Sequence, residues 1–114
     1  MLEKYSFLDV ESALPFSGDD EDIYEVVVAT YVEDEKVEEL TKAFENSDWA
    51  NYRIIVHAIK SSSYTIGANE LGDEAKESED CLKNGDIEGA KARFPKLIGD
   101  YKDMLDKIKN VIEM

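Results

Sequence analysis

Apolar residues recur every three or four positions along nearly the whole chain and nowhere alternate with polar ones over the length of a strand, so the pattern predicts helices throughout. Pro15 and Pro95 are the only prolines, which leaves few enforced stops. A short turn or helix around Asp9 to Leu14 is expected to end at "PFSGDD", where Pro, Gly and Asp supply a breaker and the next N-cap. From about Asp20, Ile23, Val26, Val27, Thr30, Val37, Leu40 and Phe44 form an inward stripe, diluted near Glu33 to Glu35; this predicts one long helix or two collinear ones. Asp48 is placed to cap a helix reaching Ile66, which Gly67 closes. The next helix, about Asn69 to Lys83, turns Leu71, Ala75, Ser78 and Leu82 inward, and "NGD" at 84–86 stops it and caps its successor. The last helix carries Ile87, Ala90, Phe94, Leu97, Tyr101, Met104, Leu105, Ile108 and Ile112, with a kink expected near Lys91 to Phe94 because Pro95 removes a backbone donor there.

Substantial helices with short connections predict an all-α fold, an antiparallel up-and-down four-helix bundle with a short extra N-terminal helix across one end. A length of 114 residues gives room for one domain, spanning 1–114. Asp and Glu number 27 against 13 Lys and Arg, a formal net charge of -14 that repels nucleic-acid phosphates and anionic lipid, so neither nucleic acid nor membrane is an expected partner. No apolar run is long enough to span a bilayer, and "MLEKYSFLDVESAL" lacks the basic flank and apolar stretch of a signal peptide; the expected location is cytoplasmic. Cys81, the single cysteine, can form no internal disulfide and reads as a small, partly buried helical residue.

The one histidine lies within "HAIKSSSYTIGA", residues 57–68. On a helix that advances about 100° per residue, Ile55, Val56, Ile59 and Ile66 share one face with Tyr52 at its edge, whereas His57 falls on the other side among Arg53, Lys60, Ser61 and Tyr64. An exposed imidazole, largely neutral at pH 7, is a competent nucleophile, and a phosphoryl group placed on it would need a nearby cation, which Lys60 is placed to supply. A metal centre is not expected, because one His and a distant Cys fall short of the three or four ligands zinc normally takes. A hydrolase triad is not expected either, since no "GxSxG" and no separate oxyanion hole accompany the serines.

The stretch resembles the signature of histidine-containing phosphotransfer (HPt) domains, in which a histidine is followed by an apolar residue, a basic residue, small residues and a glycine ten positions on. His57, Ile59, Lys60, Ser61, Ser62, Ser63, Ile66, Gly67 and Ala68 fill those places, "DWANYRIIVHAIKSS" is similar to the family's helix leading to the histidine, and "GDIEGAKARFPKL" to its last turn and helix. The resemblance covers nearly the whole chain. It implies a phosphorelay protein that passes a phosphoryl group between receiver-domain aspartates, with His57 as phosphoacceptor and Lys60 steadying the phosphoryl oxygens. The partners it implies are response-regulator receiver domains and a hybrid sensor histidine kinase. Docking is expected on Ala50, Arg53, Ile54, Ser61 and Tyr64, with Ile54 and Tyr64 as exposed apolar contacts. In the related histidine-bearing domain of chemotaxis kinases a glutamate on the following helix bonds the reactive imidazole. The corresponding offset lands on Glu79, with Lys76 as a second candidate level with His57. No cofactor and no independent turnover are implied; receivers would bring the divalent metal. One departure stands out: the family usually has glycine directly after the basic residue, and here Ser61 occupies that place. The competing expectation is a helical-bundle interaction module that binds partners without phosphoryl transfer.

Overall fold

The computed structural model describes residues 2–113, and every regular element among them is helical. A 3₁₀ turn, Leu2–Tyr5, precedes α1 (Val10–Ala13), and a second 3₁₀ turn, Leu14–Ser17, leads to α2 (Glu21–Glu33), α3 (Val37–Glu45), α4 (Trp49–Ile66), α5 (Asn69–Lys83) and α6 (Ile87–Ile112). The starts are chemically explicit. Asp9, Asp20, Asp48 and Asp86 each accept a hydrogen bond from a backbone N–H three residues on, satisfying one of the donors a helix start leaves free. Gly67 closes α4 at φ 87°, a left-handed conformation that glycine adopts cheaply. A Cβ there would also collide with the backbone of Asp9, whose N–H donates to the Gly67 carbonyl at 2.9 Å.

The acidic dilution after Tyr31 is a true break: α2 ends at Glu33 and α3 begins at Val37. The intervening loop is tied to α6, since the Lys36 N–H donates to the Tyr101 hydroxyl at 3.0 Å. Tyr64–Asp73 and His57–Glu79 contacts nest around Gly67, so α4 and α5 run antiparallel. Arg93–Glu77 and Lys96–Glu74 contacts do the same for α5 and α6. Pro95 lies inside α6, which runs through it from Ile87 to Ile112 without a break.

Buried residues of α2, α3, α4, α5 and α6 meet in one core, with Tyr24, Val28, Leu40, Tyr52, Val56, Ile59, Ile66, Leu97 and Ile108 among its most enclosed members. Phe44 stacks on Phe94 with ring centroids 4.0 Å apart, and Trp49 and Tyr52 pack edge-on beside them.

Two parts of the expected stripe are corrected. On α2 the buried face is Tyr24, Val28 and Tyr31; Ile23, Val26 and Thr30 point outward. The run "VVVAT" is apolar on several faces, so hydrophobicity alone does not orient it. The tyrosines decide because their hydroxyls find partners inside: Tyr24 donates to the Ile66 carbonyl at 2.6 Å, and Tyr31 bonds Ser63 at 2.9 Å. On α6, Ile87 and Ile112 at the two ends are exposed, since a helix of 26 residues overruns its shorter neighbours.

Candidate functional site around the lone histidine

The apolar ridge of α4 (Tyr52, Ile55, Val56, Ile59, Ile66) is buried, and this fixes the rotation of the helix about its axis. His57 is thereby turned outward, with 57% of its side chain exposed. Because α5 returns antiparallel, its third turn crosses α4 at the level of the imidazole and delivers Glu79 there. Glu79 is 3% exposed, an isolated buried carboxylate that would be costly without partners. It has two. The Oε2 atom lies 2.6 Å from Nδ1 of His57, and Oε1 accepts from Nζ of Lys60 at 2.6 Å. Lys83 stands 3.9 Å from Oε1.

Burial acts to raise the Glu79 pKa, but the hydrogen bonds from Lys60 and His57, with their charges, outweigh it and hold the carboxyl below its ordinary 4.5. Glu79 is therefore an anion at neutral pH and can only accept hydrogen bonds, so Nδ1 of His57 carries the proton that points to it. In the neutral ring the free lone pair is then on Nε2. The constellation comprises an oriented imidazole, a buried anion that stabilises positive charge on the ring, and an ammonium one turn away.

The other expected residues fall into place differently. Ala50, Arg53, Ile54 and Ser61 are exposed along the same side of α4 as His57, with Ile54 at 67%. Tyr64 is a correction. It is half-buried rather than exposed, because Gly72 leaves room for its ring over α5 and its hydroxyl bonds Asp73. That hydrogen bond, helped by burial, pushes the Tyr64 hydroxyl up to about 12. Lys76 is exposed and ion-paired with Asp80 at 3.8 Å; among the described residues no hydrogen bond joins it to His57 or Glu79. Lys60 is not a free surface cation, since only 20% of its side chain is exposed and Glu79 holds it. Lys83 was not singled out from the sequence, although its position four residues after Glu79 on a helix is a signal that could have found it. Cys81 is half-buried and in no disulfide, and among the described residues no group of His, Cys, Asp and Glu is gathered to hold a metal.

Beside His57, on the side away from Glu79, a groove of about 580 Å³ separates α2 from α4. Val27, Thr30 and Tyr31 line it from α2; Ala58, Ser61 and Thr65 line it from α4.

The family model described as the Hpt domain matches residues 32–111, a stretch that holds α3, α4 and α5 entire and includes His57, Lys60 and Glu79. No curated protein and no solved structure gives a significant match.

Proposed function

The chain belongs to the Hpt-domain family, and from that premise we propose that it is a phosphocarrier in which His57 takes a phosphoryl group from the aspartate of one receiver domain and yields it to that of another. The observation that carries this reading is the 2.6 Å contact between Nδ1 of His57 and the buried Glu79 carboxylate. It orients the ring and commits Nε2 to nucleophilic attack on phosphorus. In that step the N–P bond forms as the acyl phosphate P–O bond of the donor aspartate breaks, and the aspartate leaves as a carboxylate. The ring retains its Nδ1 proton and becomes cationic, and Glu79 offsets that charge. Lys60 turns from Glu79 toward the phosphoryl oxygens as their charge arrives, and Lys83 remains beside Glu79 as a counter-charge. Return transfer to a second receiver reverses the same bonds, so the carrier has no turnover of its own.

The fold that suits this role is an antiparallel up-and-down four-helix bundle in one domain over 1–114, with α2 and α3 sharing one position, α4, α5 and α6 filling the others, and α1 across one end. Ala50, Arg53, Ile54 and Ser61 form the receiver-facing side of α4. The partners are response-regulator receivers and a hybrid sensor histidine kinase, and the expected location is cytoplasmic. Among the described residues no helix is long and apolar enough to cross a membrane.

The test is incubation with phosphoramidate or a phosphorylated receiver, followed by intact-mass measurement. Wild type is expected to gain one acid-labile, base-stable phosphoryl group. His57→Gln is expected to gain none while keeping its helical circular dichroism, since the Gln amide can still donate toward Glu79 and Lys60 continues to pair that carboxylate. Stable phosphorylation of the variant would move the acceptor elsewhere. A wild type inert to both donors would favour a binding module without phosphoryl transfer.

A further inference from the structure

The walls of the α2–α4 groove offer few hydrogen-bond donors even where they carry hydroxyls. Thr30 donates to the Val26 carbonyl at 2.9 Å and Thr65 to the Ser61 carbonyl at 2.8 Å, so each uses its proton within its own helix. Val27, Ala58 and Ile66 add apolar surface. The base is different. Tyr31 and Tyr101 line it and meet edge-on with ring centroids 6.1 Å apart. The Tyr31 hydroxyl is paired with Ser63 at 2.9 Å. The Tyr101 hydroxyl accepts from the Lys36 N–H at 3.0 Å, but among the described residues nothing accepts the proton it carries.

Tyr101 is 2% exposed, and a buried hydroxyl with an unused donor is unfavourable until an acceptor completes it. Burial pushes its pKa up to about 12, so the phenol keeps that proton at neutral pH. The groove is the side from which an acceptor can reach it, since Tyr101 and Lys36 both line it. Charge narrows the class of acceptor. Asp34 and Lys36 border the groove with opposite signs, and the net charge of -14 disfavours an anion, which leaves a neutral carbonyl oxygen as the fitting partner. A cleft of about 580 Å³, mostly apolar with a few placed polar groups, is of the size and character that hold small molecules.

We propose that the α2–α4 groove binds a small neutral molecule with an apolar body and one carbonyl oxygen directed at Tyr101, and that this molecule, standing beside His57, closes the histidine to receivers. The first part stands on the groove alone; the second rests on the phosphocarrier reading above. His57 and Ser61 both border the groove, so a bound molecule obstructs a partner as large as a receiver. Glu79 and Lys60 do not line it, so the groups that prepare the imidazole are left as they are. Access to the reacting nitrogen is then controlled separately from its reactivity.

The probe is prodan, a neutral naphthalene ketone whose emission moves to the blue when it leaves water. Wild type is expected to bind it saturably at one site. Tyr101→Phe keeps the ring and removes the donor, and should raise Kd by about 5-fold to 10-fold, the loss expected for one hydrogen bond. Dimethylaminonaphthalene, which lacks the ketone, should bind wild type and Tyr101→Phe alike. Tyr101→Phe also leaves the Lys36 N–H unpaired, so Ala58→Phe, which sets a ring into the half-buried wall of α4, is the second variant and should weaken both probes by about 10-fold or more while keeping the wild-type circular dichroism. At saturating prodan, transfer to wild type from a receiver phosphorylated with acetyl phosphate should fall by about 10-fold. Loading from phosphoramidate, a donor small enough to pass, should continue, and Tyr101→Phe should need correspondingly more prodan for the same inhibition. Absence of saturable binding, or binding that both variants leave unchanged, would overturn the site. Saturable binding with undiminished receiver transfer would overturn the control of access. A wild type loaded by neither donor would end the phosphocarrier reading itself, with the fluorescence titrations still deciding the site.

Discussion

Glu79 does more at the site than its charge alone suggests, because one buried carboxylate holds both His57 and Lys60. Glu79→Gln keeps an acceptor for Nδ1 but removes the anion that offsets a cationic ring. Phosphate uptake from phosphoramidate should slow by about 10-fold or more, since the preorganised charge that stabilises the cationic ring is lost. The pH profile of uptake should change as well, which loss of packing alone would not cause; an unaltered rate and profile would reduce Glu79 to a structural ion pair. Ser61 is the second informative residue. It is exposed, one turn after His57 and bordering the groove, where the family usually has glycine. Ser61→Gly should cost some tenths of a kcal/mol, since glycine in a helix interior is about 1 kcal/mol worse than alanine and serine less so. The same variant should nevertheless accept phosphate faster from a given phosphorylated receiver, because the approach to His57 widens. Slower transfer at unchanged receiver affinity would show that the hydroxyl assists the phosphoryl group. His57 was legible as the one histidine, set off the apolar face of its helix, and Glu79 through the resemblance to the chemotaxis-kinase domain, with the offset across a Gly-closed hairpin in agreement. The same offsets could not tell Lys76, which turns to Asp80, from Lys83, which stands beside Glu79, since each lies about one turn of α5 from Glu79.

At the scale of the elements, α4 and α5 were legible almost to the residue because Asp48 caps the first, Gly67 turns the chain between them and "NGD" stops the second, although the start of α5 at Ala68 has no side-chain cap. The rotation of α2 was not. Its valine run offers two apolar faces, and the choice between them depends on hydroxyl partners supplied by α4, which no local pattern contains. The α5–α6 contact adds a device the sequence does not announce. Glu74 is packed between the two helices with 21% of its side chain exposed, near Lys96 at 3.5 Å, while Lys96 also pairs with Asp100 at 2.6 Å. Burial, followed by the hydrogen bond and charge of Asp100, pushes the Glu74 pKa up to about 7, and Lys96 offsets this only in part. The folded state therefore holds a proton that the unfolded chain has released, since unfolded Glu74 titrates near 4.5. Its contribution to stability falls as pH rises from 4.5 to about 7 and is level above that. Glu74→Gln, neutral at every pH, should match wild type near pH 5 and exceed it near pH 8 in urea midpoint. A variant less stable than wild type at the higher pH would show that the Lys96 ion pair, not the buried charge, dominates this contact.

For the molecule as a whole, 27 acidic against 13 basic side chains set a balance between two effects of opposite sign with respect to salt. Surface ion pairs such as Lys42–Glu38 and Arg93–Glu77 are weakened by screening, but exposed pairs of this kind contribute only about 0–1 kcal/mol each. Self-repulsion among unpaired acids is relieved by screening, and the acids here outnumber any cations that could pair with them. The excess is also uneven: Asp19, Asp20, Glu21 and Asp22 are consecutive, and the nearest basic side chains in sequence are Lys4 and Lys36. The Debye length shrinks from about 30 Å at 0.01 M to about 10 Å at 0.1 M ionic strength, so moderate salt removes the long-range repulsion and leaves contact pairs comparatively intact. Thermal unfolding followed by circular dichroism should accordingly show Tm rising with sodium chloride over this range, with much of the gain retained when the acidic run at 19–22 is replaced by its amides only if the repulsion is spread over the whole surface. A gain that vanishes in that variant would localise the repulsion to the start of α2, and a Tm that falls with salt in wild type would mean that the ion pairs outweigh the net charge.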